Sequence, residues 1–410
     1  MNNKKKPNFY LLKNPIQRYA WGSKHWIQDL LDLSEQDRQG PMAELWMGAH
    51  SRSPSIAFTD ETEQPLDKLI QEHPVHFLGD TIAHDFSSLP YLFKILAAAS
   101  PLSIQAHPDK QQAEQGFARE AKAGIPLSAE NRNYKDSNHK PEIICAISPF
   151  TAMCGFRTQA EIAELLSLLD VTELEQSLVA IQQIDRKEAY RDFLLSLFLL
   201  PQQTRERITK HIQAKLPKLE QKHPRYAKEW ELINLFCTLY PGDSAIISPL
   251  YLNVLSLNPG EAIFLPAGVL HAYIHGFGVE LMANSDNVLR GGLTPKHIDI
   301  KELLNIIRFE SFKPAVLSAQ KTQQGYHIYP SQVREFSLFH VAVTMDKAQQ
   351  LMPGTPIILI VLDGCVSIGT EQEKKTLQKG MSVFLPAERE QLILEGSAHI
   401  FGATTGEGTR

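Results

Sequence analysis

Four short stretches of this sequence concentrate side chains that bind metals and anions. The first is Pro101-Leu-Ser-Ile-Gln-Ala-His-Pro108. Successive side chains on a strand alternate faces, so Ser103, Gln105 and His107 share one face and Leu102, Ile104 and Ala106 the other. A polar face of this kind either meets solvent or lines a cavity. The second is His139-Lys-Pro-Glu142, directly ahead of an apolar run at 143–147. Lys140 and Glu142 share a face, and a carboxylate entering a buried strand is costly unless it is paired or binds a metal. A Lys–Glu pair at the strand mouth meets that condition as well as a metal does. The third, Leu265-Pro-Ala-Gly-Val-Leu-His271-Ala-Tyr273, places a histidine just past a Pro-Gly turn, from which it can project off a strand. The fourth, Asn284-Ser-Asp-Asn-Val-Leu-Arg290-Gly-Gly-Leu-Thr-Pro-Lys296, sets Arg290 before two glycines that permit close backbone approach. An Arg fork and a Lys point charge suit a sugar phosphate. A surface loop with ordinary salt bridges would use the same residues.

Besides His139, the first three stretches together offer two imidazoles, a carboxylate and an amide oxygen. That mixture suits a zinc ion that keeps an open coordination position. The four cysteines, Cys145, Cys154, Cys237 and Cys365, form no C-x-x-C pair and match neither a zinc ribbon nor a disulfide framework. Any metal is therefore expected on nitrogen and oxygen, with the thiols reduced in a cytoplasmic protein.

The elements that must position these residues fall into three textures. Up to about Arg157, short apolar runs at 92–97 and 143–147 alternate with Pro and Gly, which reads as strands and turns, with some helix at 66–71. From about Thr158 to Tyr240, Ile162, Leu165, Leu166 and Leu169 recur at helical spacing, as do Leu194, Leu195 and Phe198. Strand texture returns from Pro241. In the last third, Gly260-Glu-Ala-Ile-Phe-Leu-Pro-Ala267 aligns without a gap on Gly380-Met-Ser-Val-Phe-Leu-Pro-Ala387. Each copy is a Gly turn, an apolar strand and a Pro, favouring two related β-barrels of the cupin or jelly-roll kind. The copies diverge at one telling place, where His271 aligns with Gln391, so a metal is expected only in the first.

The fold class is then mainly β with a helical insert: two cupin or jelly-roll barrels plus an α-helical domain. The expected boundaries are 1–157 and 246–312 for the two parts of the metal-bearing barrel, 158–245 for the helical domain, and 313–410 for a C-terminal barrel without metal. A chain of 410 residues, 43% hydrophobic and 21% charged, supports more than one core. Net charge is −5, and no basic block exceeds Lys4 to Lys6, read as a solvated terminus, so neither nucleic acid nor membrane surface is an expected partner. No signal peptide is apparent. The longest apolar stretch, 193–200, is too short to span a bilayer. Oligomeric state is not fixed by the sequence, a monomer being the simplest case.

These clusters, with Tyr19-Ala-Trp-Gly22, Glu44-Leu-Trp-Met-Gly48, Leu89-Pro-Tyr-Leu-Phe-Lys94, Ser103-Ile-Gln-Ala-His-Pro-Asp-Lys110 and Cys154-Gly-Phe-Arg157, closely resemble the type I phosphomannose isomerases, members of the cupin superfamily. The resemblance covers most of 15–157 and 250–300. It implies zinc, one ion per chain, on Gln105, His107, Glu142 and His271, and interconversion of mannose 6-phosphate and fructose 6-phosphate through a cis-enediol. It points to Arg290 as a catalytic cation near the sugar carbonyl and to Ser103 and Lys296 as phosphate contacts. Tyr273 and Asp286 match substrate-pocket positions, and Lys140 and Glu280 match catalytic ones. Glu280, Lys140 and His139 are the candidates for the proton-shuttling base. The polar segment 131–138 reads as a surface loop, with a mobile lid as the alternative. Two other classes compete on residues alone: a different metal cupin enzyme, which would not need Arg290 and Lys296, and a non-catalytic sugar-binding cupin.

Overall fold

The computed structural model describes residues 6–60, 63–183 and 188–407; Lys4 and Lys5 lie outside them. Two antiparallel eleven-stranded sheets carry the β structure. In the first, the thirteen-residue strand His271–Ala283 is central. Its first part pairs with Ile104–Ala106 and Phe150–Phe156, its second with Tyr91–Ala98 and Glu142–Ala146. The partners change around an irregularity between Tyr273 and His275. Gly276 follows at φ 143°, and a Cβ there would meet the Phe150 ring at 2.4 Å. The bend thus needs a residue without a side chain.

Why the apolar runs are so continuous is clear from what covers them. All eight residues of Tyr91–Ala98 are buried. Phe93, Ile95 and Ala97 face the second sheet, packing in one core with Ile358, Ile360, Phe384 and Phe401. Leu96 and Ala98 turn to the inside of the first sheet, with Ile144, Phe150, Cys154 and Tyr273. A third core joins Ile104, Ala106, Met153 and Phe156 to the helices.

The helical insert opens where Thr158 caps the helix Gln159–Leu169 in a capping box with Glu161. Helices continue through Ala227–Leu239 to the short turn Ser248–Tyr251. The expected helix near 66–71 is present as Leu66–Glu72. A second capping box, Asp109 with Gln112, starts the helix Lys110–Lys122 and ends the segment that carries Gln105 and His107. Among the described residues no helix is long and apolar enough to cross a membrane.

Both copies of the repeat take the same local form. Gly260 and Gly380 turn at φ 87° and 82°, and each leads into a short strand, Glu261–Leu265 or Ser382–Leu385. Each copy is followed by a thirteen-residue strand, His271–Ala283 or Leu392–Thr404. The hydrogen bonding crosses the expected boundaries at two points. Leu317–Ser318, assigned from sequence to the C-terminal barrel, pairs with Glu261–Leu265 at the edge of the first sheet. Tyr10–Lys13, Ile56–Phe58 and Glu63–Pro65, assigned from sequence to the first barrel, pair into the second sheet, with Tyr10–Lys13 lying against Ser382–Leu385. Tyr10 and Leu12 enter the core between the sheets, and Leu11 packs on the opposite face. Apolar groups on both faces make this N-terminal strand an internal member of that sheet.

Candidate metal centre and anion site

His107, Glu142 and His271 converge so that one ligand atom from each lies within 4.8 Å of the others, all three buried. Cross-strand register brings them together. His271 lies opposite Gln105 on one side and Cys154 on the other, and Glu142 lies opposite Met282 of the same long strand. The histidines are fixed from behind. His107 Nδ1 meets the Asn287 carbonyl at 2.7 Å, and His271 Nδ1 meets that of Val269 at 2.9 Å. Carbonyls only accept, so the hydrogen-bond network assigns the proton to Nδ1 on both rings and leaves Nε2 as a lone pair. His107 Nε2 then faces Glu142 Oε1 at 3.3 Å, and His271 Nε2 faces Oε2 at 3.5 Å. These are acceptors against acceptors. His107 Nε2 and Glu142 Oε1 are accordingly buried without a hydrogen-bond partner. A cation among them satisfies all four atoms at once.

The electrostatics agree. Burial, with Lys140 nearby, pushes His107 down to about 4, keeping it neutral as ligation requires. Burial alone would raise the Glu142 carboxyl, but Lys140 and His107 hold it well below the usual carboxylate range. Lys140 Nζ approaches Glu142 Oε1 to 2.7 Å, off the line of a hydrogen bond. Gln105 places its amide Nε2 3.3 Å from His271 Nε2. A half-turn of that amide exchanges its nitrogen and oxygen, which are assigned from the network, and presents the oxygen to the same point.

Arg290 continues the row. It pairs in register with Gln105, which itself pairs with His271, so it sits one strand from Gln105 and two from His271, about 10 Å from the latter at ordinary strand spacing. Its side chain is partly buried, and burial lowers its pKa. Burial and then Arg290 likewise lower Lys296, which places the two cations near one another. Neither guanidinium nor ammonium has an acidic partner among the described residues, an arrangement that attracts an anion. Asp243 steadies the loop between them, accepting from the backbone N–H of Ala245 at 2.8 Å and of Thr294 at 3.4 Å. Ser103 is half-buried on the segment leading to Gln105.

A second network lies on the same interior face. Lys94 Nζ reaches Glu280 at 2.9 Å and Glu44 at 3.5 Å, all three buried, and sits 5.4 Å over the Trp46 ring. Burial raises Glu280, partly offset by Lys94 and reinforced by Glu142. Burial would lower Lys94, but Glu280 and Glu44 push it up instead. Lys94 and Glu44 received no role from sequence, although a lysine inside a continuous apolar run is itself a signal of a buried partner.

The remaining candidates sit around these two networks. Tyr273 is fully buried with its hydroxyl 3.5 Å from Glu142 Oε2. Asp286 pairs with Arg52 at 2.5 Å and His50 at 3.4 Å at the rim of a cleft of about 300 Å³, also lined by Lys135 and Asn138. His139 is turned to Glu335 at 2.6 Å. The segment 131–138 is pinned, unlike a free lid. Arg132 pairs with Glu120 at 3.0 Å, and the Asn287 side chain accepts from Lys135 N at 2.7 Å and donates to the carbonyls of Asp136 and Asn138, both at 2.9 Å. Asn287→Ala would strand these buried groups, at about 1–3 kcal/mol each, and loosen the backbone that aims His107. The expected result is a lower melting temperature and zinc affinity reduced about 10- to 100-fold. Unchanged melting and zinc retention would show that Asn287 has no such part.

A buried histidine–glutamate–histidine centre inside an antiparallel sheet, flanked by free cations, defines a metal-binding enzyme of the cupin class. Residues 9–159 match the family model for the phosphomannose isomerase type I catalytic domain, and 327–404 match the mannose-6-phosphate isomerase cupin domain. The second match falls where the sequence carried little recognisable signature. Mannose-6-phosphate isomerase of Salmonella typhimurium is 39% identical over 394 residues, 95% of this chain and 97% of that protein. The human mannose-6-phosphate isomerase is 32% identical, covering 93% and 94%. A zinc-bound mannose 6-phosphate isomerase structure superposes with a TM-score of 0.89 at 36% identity, over 97% of this chain and all of that one. The Salmonella typhimurium enzyme bound to fructose 6-phosphate and zinc gives 0.89 at 37%, with the same coverage. The chain belongs to the type I phosphomannose isomerase family, whose members are aldose–ketose isomerases.

Proposed function

We propose that this chain interconverts mannose 6-phosphate and fructose 6-phosphate through a cis-enediol, with one zinc on Gln105, His107, Glu142 and His271. The observation that carries this reading is the convergence of bare nitrogen and carboxylate lone pairs in a buried site. When bound, zinc supplies a Lewis acid for the oxygens of the reacting carbons.

In this reading the chain's own residues divide the work. Lys296 and Ser103 hold the phosphate. Arg290 faces the oxygen that becomes negative as the proton leaves C2. Glu280 shuttles the proton between C1 and C2, supported by its place on the same interior face and by burial, which raises its carboxyl above the ordinary range. Lys140 offsets charge on Glu142, and Tyr273 positions that ligand from behind while lining the pocket's inner end. Asp286, at the rim, contacts the sugar. The pairing of His139 with Glu335 suits a tie between chain segments better than a proton shuttle.

The same reading takes the two sheets as cupin barrels about a helical domain, with boundaries near 157, 245 and 312, the N-terminal strands counted with the second barrel and Leu317–Ser318 with the first. The protein would work in the cytoplasm on a small sugar phosphate, as a monomer, without nucleic acid or membrane partners.

Metal analysis beside an isomerase assay tests the proposal. About one zinc per chain is expected, and His271→Ala should lose both metal and activity while remaining folded. A variant that keeps its full metal content would remove His271 from the ligand set. Zinc-loaded wild-type protein without activity on either sugar phosphate would overturn the function.

A further inference from the structure

The C-terminal sheet carries a second group of imidazoles on one face. His327, His340 and His399 belong to three neighbouring strands, His327–Ile328, Ser337–Val343 and Leu392–Thr404. His327 lies directly opposite His340. Phe401 opposes His340 on the other side, which sets His399 two residues along the same face, diagonal to it. On the next strand, Ile357–Gly369, Asp363 lies opposite His399. Opposed and diagonal residues of an antiparallel sheet are within reach of each other for long side chains. Four ligand-type residues thus form one row across four strands.

The distances match that placement. The His327 and His340 rings are 4.8 Å apart and the His340 and His399 rings 5.4 Å. His399 Nε2 faces His340 Nδ1 at 3.4 Å. Two nitrogens bound to one tetrahedral ion, each at about 2.0–2.1 Å, are separated by about 3.4 Å. His327 Nδ1 is buried with no hydrogen-bond partner. Its ring stacks on His340 at 13°, so the three rings do not converge on one point as they stand, and an ion held by His340 and His399 would draw in a His327 nitrogen by rotation about χ2, a broad torsion. The Phe401 ring, 5.4 Å from His340, backs the group, and His399 and Asp363 are exposed, leaving an entry from solvent.

Protons compete poorly here. Burial and the two neighbouring histidines push His340 down to about 4, and burial also lowers His399. Neutral imidazoles are the form that binds metal.

We propose that His327, His340 and His399, with Asp363 as the carboxylate, form a second transition-metal site, separate from the His107–Glu142–His271 centre. Imidazole and carboxylate donors suit Zn²⁺, Ni²⁺ or Cu²⁺. The position is not the one that Gln391 takes in the repeat. The proposal nonetheless departs from the sequence expectation of a C-terminal barrel without metal. An ion here would link four strands at once, so binding would stabilise the folded sheet.

The test is calorimetric titration of zinc-loaded protein with Ni²⁺, with zinc content followed in the same samples. One saturable equivalent of Ni²⁺ beyond the retained zinc is expected. His340→Ala and His399→Asn should each weaken it at least tenfold, with basal isomerase activity unchanged. Copper in place of nickel should show imidazole-nitrogen hyperfine coupling in its paramagnetic resonance spectrum, lost in the same variants. His399 is exposed, so His399→Asn decides the matter if His340→Ala fails to fold. Failure to saturate, displacement of zinc in place of added binding, or equal binding by His399→Asn and wild type would overturn the proposal.

Discussion

Replacing Arg290 with alanine is expected to lower kcat about a hundredfold while changing KM and zinc content little. A charge-assisted contact made only as the enediol oxygen becomes negative is worth about 3 kcal/mol in a sheltered site. The expectation rests on where Arg290 sits: in register with Gln105, partly buried, and without a carboxylate partner among the described residues. Lys296 is the contrast. It is exposed on the loop beyond the strand, where it can meet a phosphate that carries the same charge in substrate, transition state and product. Uniform binding does not alter the height of the chemical step, so Lys296→Ala should chiefly raise KM. Steady-state kinetics on both variants with mannose 6-phosphate, with metal measured on each, separates the roles. The opposite pattern would exchange the two assignments, and two unimpaired variants would make the segment an ordinary surface loop.

Lys94→Met is expected to destabilise the protein by about 3–5 kcal/mol, because it leaves buried Glu280 and Glu44 facing each other without a cation. The loss should depend on pH. Glu280 is already raised by burial, and without Lys94 it rises further above its unfolded value. The folded state then keeps a proton that the unfolded chain releases. Stability is retained in acid, below the ordinary carboxylate range, and is lost as pH rises through that range towards the raised value. Thermal melts of Lys94→Met and wild type should therefore differ more at pH 8 than at pH 5, and adding Glu280→Gln should restore part of the difference. If Glu280 is the proton shuttle, the acid limb of kcat in Lys94→Met should also move to higher pH. A pH-independent difference in melting would show that Lys94 acts through packing alone.

The candidate centre was legible in the sequence to an unusual depth, and unevenly. Gln105 and His107 could be placed on one strand face because alternation is local, and helical spacing from about Thr158 marked the insert, whose first helix the structure starts at Gln159. The apolar run containing Lys94 could be recognised as a buried strand, yet its lysine passed without a role because Glu280, its partner, is 186 positions away. Asn287 was missed for a similar reason, since nothing near it in sequence announces that its carbonyl orients His107. The repeat at Gly260 and Gly380 was visible because the same turn and strand recur, whereas the imidazoles at His327, His340 and His399 follow no common motif.

By itself the sequence determined the donor types, nitrogen and oxygen in place of thiolate, and the strand and helix texture that would carry them. Tertiary structure decided which donors meet. Gln105 and His271 are 166 positions apart and become neighbours only through strand register. Register also carried the N-terminal strand Tyr10–Lys13 into the far sheet and set His327 against His340. The reason is physical: side-chain alternation and capping are set over a few residues, but pairing between distant strands is chosen by which apolar faces can be buried together.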